Sequence, residues 1–200
     1  MNPELERCAG WPHKKIAGVD EAGRGCWAGP VVAAAVILPA SYDWDGLDDS
    51  KKLSAEQRAR LSARIRQDAA TGLGIATAAE IDASNILVAS LRAMARAVAK
   101  LTHTPDHILV DGNRLPDWAH AAEAVIGGDA RAPSIAAASI IAKHTRDEMM
   151  VSLDEQYPGY HWAQNKGYGV PAHREGLEAQ GVSPEHRRTF VPIRRLLEQS

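Results

Sequence analysis

The chain has only two cysteines, Cys8 and Cys26, in 200 residues. With no C-x-x-C and no second pair there is neither a disulfide framework nor a zinc knuckle, and a reducing cytoplasm is the expected setting. Long apolar runs are also missing. None reaches the roughly 20 residues that span a bilayer, and Met1 to Lys15 lacks the apolar core of an export signal. No G-x-x-x-x-G-K-[ST] occurs, which argues against a P-loop phosphotransferase. The eight histidines show no metal-ligand spacing on a common element, so surface or core roles are expected of them. Charge of one sign is not in excess either: a formal net charge of -2 and a pI near 6.4 give no global basic field. Any polyanion site must therefore be local. There is no internal repeat, and Arg194 to Ser200 carries no aromatic tail of the kind that docks on a partner protein, so no partner protein is indicated; a monomer is the default expectation.

What is present suffices for one substantial core. The chain is 45% hydrophobic and of ordinary domain size, which predicts a single domain over residues 1–200. Charge is uneven along it: Lys51 to Arg66 holds six Lys or Arg against one Glu, and Tyr157 to Ser200 holds six against four acids. Such runs read first as solvated helix faces. Ile16 to Asp20 and Pro30 to Leu38 read as strands, the second nearly all apolar, as in a sheet covered on both faces. Ser54-Ala55-Glu56-Gln57 matches a capping box that opens a helix to about Asp68. A strand at Gly72 to Ala78, a helix from about Ile81 to Lys100 and strands at His107 to Asp111 and Ala124 to Ile126 follow. A long helix begins at Pro133 and runs to about Tyr157. Pro158 to Lys166 reads as a loop, and Pro171 to Gln180 and Val191 to Glu198 as short helices. This order implies an α/β domain with a mixed sheet.

The acidic residues stand at the ends of strands. Asp20 and Glu21 lie where an apolar strand meets the turn Ala22-Gly23-Arg24-Gly25, a position at which open α/β sheets tend to place sites. Adjacent strand residues point to opposite faces, so both serve one site only if the chain leaves the extended conformation at Glu21. Asp111 repeats the pattern, ending Ile108-Leu109-Val110 ahead of Gly112-Asn113, and converges on Asp20 if the two strands are neighbours. Asp129 follows Gly127-Gly128 just before the long helix. Taken singly, Asp111 and Asp129 read more readily as turn or cap residues than as ligands. Four gathered carboxylates would repel one another and are usually held together by hard divalent cations. Spacing alone leaves the reaction open.

The stretch Asp20-Glu21-Ala22-Gly23-Arg24-Gly25, followed by Ala28-Gly29-Pro30-Val31-Val32-Ala33-Ala34-Ala35-Val36, resembles the opening signature of the ribonuclease HII family. Asp49-Ser50-Lys51-Lys52-Leu53, Val110-Asp111-Gly112, Ala137 to Lys143, Lys166-Gly167-Tyr168-Gly169 and His186-Arg187-Arg188-Thr189-Phe190 continue the resemblance in family order, over about residues 15–196. It departs at Gly127, where Lys is frequent, at Asn165, where His is common, and at Thr189, where Ser is usual. The related ribonuclease HIII carries an extra N-terminal domain, and only a short polar stretch precedes Lys15 here.

The resemblance implies a ribonuclease H-like α/β fold: a mixed five-stranded sheet flanked by helices, with a small helical C-terminal part at about 157–200. It assigns Asp20, Glu21, Asp111 and Asp129 as catalytic carboxylates and metal ligands. Two Mg²⁺ or Mn²⁺ ions about 4 Å apart would then promote hydrolysis of the scissile phosphodiester, leaving 5′-phosphate and 3′-hydroxyl ends. The expected substrates are RNA/DNA hybrids and DNA duplexes containing ribonucleotides. In the family the turn matching Gly23, Arg24 and Gly25 reads the 2′-hydroxyl through backbone contacts, and Tyr168 matches the tyrosine that packs on the junction sugar. Ser50, Lys51, Lys143, Arg146, Lys166 and Arg187 are the expected phosphate contacts. Asp147 is expected to be an ion-pair residue of the long helix. The rival reading from another class is a catalytically silent hybrid-binding protein.

Overall fold

A computed structural model of the chain describes residues 1–199; Ser200, the last residue of the expected C-terminal part, lies outside it. Five strands, β1 (Ile16–Ala22), β2 (Val31–Ile37), β3 (Ala70–Ala76), β4 (His107–Asp111) and β5 (Ala122–Val125), form one sheet in the order β3-β2-β1-β4-β5. The β1-β2 and β2-β3 pairs are antiparallel and the β1-β4 and β4-β5 pairs parallel, so the sheet is mixed, as expected.

Both faces of the sheet are covered, and β2 explains why it could be written without a polar residue. Its Val31, Ala33, Ala35 and Ile37 join the cluster under helix α4 (Ile86–Ala99), while Ala34 and Val36 meet α5 (Pro133–Gln156) and α2 (Ala55–Asp68) on the other face. Close approach depends on missing side chains. A Cβ on Gly18 would collide with the α5 backbone at Ser134 and Ile135, and one on Gly74 with the Ala93 carbonyl of α4. The small residues Ala136, Ala137 and Ala138 of α5 are fully buried on that tight interface.

Several local expectations need correction. The helix expected from Ile81 to Lys100 is two helices, α3 (Ala78–Asp82) and α4. Thr77 and Glu80 form a capping box for the first, and the Asn85 side chain accepts from the Val88 N–H to cap the second, so two start signals fall inside one hydrophobic pattern. The third strand is accordingly shifted to 70–76, ending where Thr77 caps. Within the expected loop Pro158 to Lys166 sits a single turn, α6 (Trp162–Asn165). The N-terminal α1 (Glu4–Cys8) was not foreseen; its buried Glu6 accepts from both the N–H and the hydroxyl of Ser134, at 2.9 and 2.7 Å. That bond caps α5, whose own N-cap residue, Ala132, offers no side-chain acceptor. The C-terminal helices α7 (Pro171–Gln180) and α8 (Val191–Gln199) surround a separate small core of Trp162, Tyr160, Leu177 and Ile193, joined to the end of α5 through Met150.

Candidate active site

The parallel register of β1 and β4 pairs Val19 with Val110, which sets Asp20 beside Asp111 at the carboxyl ends of neighbouring strands. Ile108 and Val110 pack under α4 and Leu109 packs with Ile135 of α5, so alternation turns Asp111 to the α5 face, the face Asp20 shares with Gly18. Contrary to expectation, the chain does not leave the extended conformation at Glu21: β1 stays paired with β2 through Ala22. Pairing with β4 stops at Val19, leaving a free edge. Around that edge Asp20 curls to accept the Glu21 N–H at 2.7 Å, and both carboxylates reach one cleft. The cleft, of about 270 Å³, is lined by Asp20, Glu21, Ala22, Gly23, Arg24, Gly25, Ser50, Lys51, Asp111, Ser139, Lys143, Tyr168 and, at its floor, the buried Arg146.

Asp129, in the short 3-10 turn Gly128–Ala130, is buried beside these residues. The preceding Gly128 N–H donates to Asp111 Oδ1 at 2.7 Å, fixing the two acids relative to each other. The Lys51 ammonium lies 3.3 Å from Asp129 Oδ2. Burial pushes the Asp20 carboxyl well above its usual range, and the charges of Glu21 and Asp111 add to that. Burial also raises Glu21, opposed by Arg24, whose guanidinium is 3.1 Å away. Asp111 is raised by burial and by Asp129, against the Gly128 N–H. One oxygen of Glu21, Oε2, is buried with no hydrogen-bond partner. Acids pushed up together beside an orphaned buried oxygen are a set whose repulsion a bound cation would relieve. As placed, no three acid, histidine or cysteine side chains among the described residues are close enough to enclose an ion.

Other expected residues divide between the cleft and the interior. Ser50 is buried and shares a 2.8 Å hydrogen bond with Ser139 of α5, whose hydroxyl also supports Asp20. Lys143 lines the cleft and pairs with Asp147 at 2.6 Å; Asp147 also meets Arg58 at 3.4 Å, in keeping with the ion-pair role expected of it. Arg146 and Arg187 must be corrected: neither is free to meet a phosphate. They are 1% and 0% exposed, and their guanidinium groups are spent on main-chain carbonyls. Lys166 is turned to the Ala163 carbonyl and lies outside the cleft lining. Tyr168 is half-exposed, its ring 3.9 Å from where a Cβ on Gly25 would be, with the Cys26 thiol against its hydroxyl.

The sequence reading missed what holds Tyr168. Its carbonyl accepts the His173 Nδ1–H at 3.0 Å. The tautomers then follow in order: His173 Nε2 accepts from Trp162 Nε1 and His186 Nε2, each at 3.0 Å, and His186 Nδ1 accepts from the Ser183 N–H and hydroxyl. Both rings are neutral and buried, and burial depresses both, His186 to about 3. The departures from the family pattern are accommodated. Asn165 accepts the Gly167 N–H and donates to the Tyr160 carbonyl, and Thr189 bonds Asp82 with its hydroxyl at 2.6 Å, as a serine would. Gly127 has positive φ and faces open space.

Comparison with known proteins bears on the family and the fold. The family model for Ribonuclease HII matches residues 17–193. The Ribonuclease HII of Rhizorhabdus wittichii is 60% identical over 178 residues, 89% of this chain and 88% of that protein. The crystal structure of the ribonuclease H2 from Pyrococcus horikoshii superposes with a TM-score of 0.80 at 27% identity, covering 92% of this chain and 98% of the other. Bst-RNase HIII, solved in complex with Mn²⁺, shares the fold with a TM-score of 0.74 at 20% identity over 99% of this chain and 74% of that one. A chain matched in this way from β1 to α8 belongs to the ribonuclease HII family of endoribonucleases.

Proposed function

We propose that this endoribonuclease hydrolyses the RNA strand of RNA/DNA hybrids and incises DNA duplexes on the 5′ side of a single embedded ribonucleotide, leaving 5′-phosphate and 3′-hydroxyl ends. The observation that supports this reading is that Asp20, Glu21 and Asp111 line one cleft with the Gly23-Arg24-Gly25 turn and Tyr168, while Asp129 lies next to it, tied to Asp111 through Gly128 and to Lys51. These acids would hold Mg²⁺ or Mn²⁺, two ions during catalysis, and the raised carboxyls and orphaned Glu21 Oε2 fit that role. Bound cations of this kind supply Lewis-acid stabilisation of charge at phosphoryl oxygens and make water a better nucleophile.

The chain's own residues do the rest. Ser139 and the Glu21 N–H hold Asp20 in one orientation, and the Gly128 N–H does the same for Asp111. Arg24, Lys51 and Lys143 at the rim attract and seat the backbone without reading sequence. The turn, lacking side chains at Gly23 and Gly25, admits a ribose to its main chain, and the Tyr168 ring offers a flat face to the neighbouring sugar.

The test is incision of a labelled DNA duplex with one ribonucleotide, with Mg²⁺ or Mn²⁺, by wild type, Asp20→Asn and Asp111→Asn. A single cut 5′ of the ribonucleotide, lost in both variants while binding is kept, is expected. Cutting of long hybrids alone would remove the junction role of the turn. A wild type that binds and never cuts would leave a silent binder.

A further inference from the structure

Arg146 and Arg187 are cations shut inside the protein, and among the described residues no carboxylate pairs with either. Burying a guanidinium without a counter-charge costs several kcal/mol unless its donors are well used. They are: Arg187 reaches the carbonyls of Arg24 at 2.9 Å, Gly23 at 2.7 Å and Gly29 at 2.9 and 3.0 Å. Arg146 takes those of Pro30, Ala28 and Lys166 at 2.8, 3.1 and 2.9 Å. Their segments are laced together as well, the Arg187 N–H donating to the Trp27 carbonyl and Ala28 bridging to His186.

The consequence follows from peptide geometry. In a trans peptide the carbonyl and the next N–H point in opposite directions. Arg187 draws the Gly23 and Arg24 carbonyls to one fork, so the N–H groups of Arg24 and Gly25 face away from it, on the exposed side of the turn. Neither N–H donates to any group among the described residues. Gly23 has a φ of +100°, and the Arg146 side chain fills the place where its Cβ would stand. Two successive free N–H groups above two unneutralised cations make a receptor for an electron-rich oxygen.

We propose that Arg187, backed by Arg146, is a positioning residue for ribonucleotide selection: it holds the Gly23-Arg24-Gly25 turn with the Arg24 and Gly25 N–H groups presented to the ribose 2′-oxygen and the adjoining phosphate. The proposal rests on the reading that this turn meets the ribonucleotide. Arg187 thereby acts through the turn and touches no substrate.

Arg187→Lys keeps the charge, but its single nitrogen cannot span the carbonyls that Arg187 reaches with Nε, Nη1 and Nη2 separately. In chelator, dissociation constants are measured for a duplex with one ribonucleotide and for the same duplex all in DNA. Wild type should prefer the first. Arg187→Lys should lose about tenfold of that preference, the worth of roughly one hydrogen bond per decade, with the all-DNA constant little changed. A merely structural role would weaken both constants together and leave their ratio intact, overturning the proposal. A wild type without preference would sink the ribose reading of the turn itself. A measurement on wild type covers the case of a variant that does not fold: the Arg24 and Gly25 amide resonances should exchange rapidly with water and shift on adding the ribonucleotide duplex more than the all-DNA one. Slow exchange, or equal shifts, would refute the outward presentation of these groups.

Discussion

Lowering the pH should remove the stability that a neutral, buried His186 contributes. The ring is 1% exposed, and burial, with the neighbouring His173, holds it neutral down to about pH 3, against an ordinary value of 6.5. In the unfolded chain it protonates at its ordinary pKa. Between these values the unfolded state binds the extra proton, so stability is full above about 6.5 and is lost as pH falls. Each pH unit below that costs about 1.4 kcal/mol, or about 2 kcal/mol by pH 5 and roughly 5 kcal/mol by pH 3. His173, depressed in the same direction, adds to the loss. The raised carboxyls of Asp20, Glu21 and Asp111 work the opposite way, so the assay must be a difference. Urea unfolding followed by tryptophan fluorescence, for wild type and His186→Gln, isolates the contribution. Gln can donate to His173 and accept from Ser183 but does not titrate in this range. The variant should be the less stable at neutral pH, with the gap closing by about 2 kcal/mol at pH 5. A gap that stays constant from neutral pH to pH 5 would refute the assignment of a neutral, buried His186.

Two further outcomes are expected from the same geometry. Asp111→Asn keeps the Oδ1 that accepts the Gly128 N–H but removes one of the repelling charges, so without divalent cations it should melt about 3 °C higher, near 1 kcal/mol; a lower melting temperature in chelator would contradict the repulsion. Glu6→Ala removes both bonds to Ser134 and with them the side-chain cap of α5, costing about 2 kcal/mol, or about 6 °C, by thermal unfolding. An unchanged melting temperature would show that α1 is not fastened there.

The sheet was legible because its signals are local and repeated. An all-apolar β2 requires cover on both faces, and apolar runs that give way to acids at Asp20 and Asp111 mark the carboxyl ends of their strands. The pairing of β1 with β4 was open in the spacing and is closed by the register of Val19 with Val110. How Glu21 shares the cleft was misjudged, since a strand edge freed by a short neighbour leaves no trace in the sequence of the strand itself. Buried arginines are equally silent. Arg146 and Arg187 look like any basic residues near a polyanion site, and only their carbonyl partners, set by contacts across the whole chain, reveal the difference. Glu6, in the short polar stretch before Lys15, caps a helix 128 positions away, a distance at which no pattern operates.

The bond from Arg187 to the Gly23 carbonyl also joins residues 164 positions apart, which has a consequence for the order of synthesis. A ribosome delivers Asp20, Glu21 and the glycine turn long before the arginine that braces them. Nascent chains would carry strand β1 with the turn untethered until Arg187 is made, so, if the turn meets the ribonucleotide as proposed, the ability to discriminate it would arrive only with the C-terminal part. A stalled or prematurely terminated chain would then hold every acid of the cleft and still be a poor reader of its substrate.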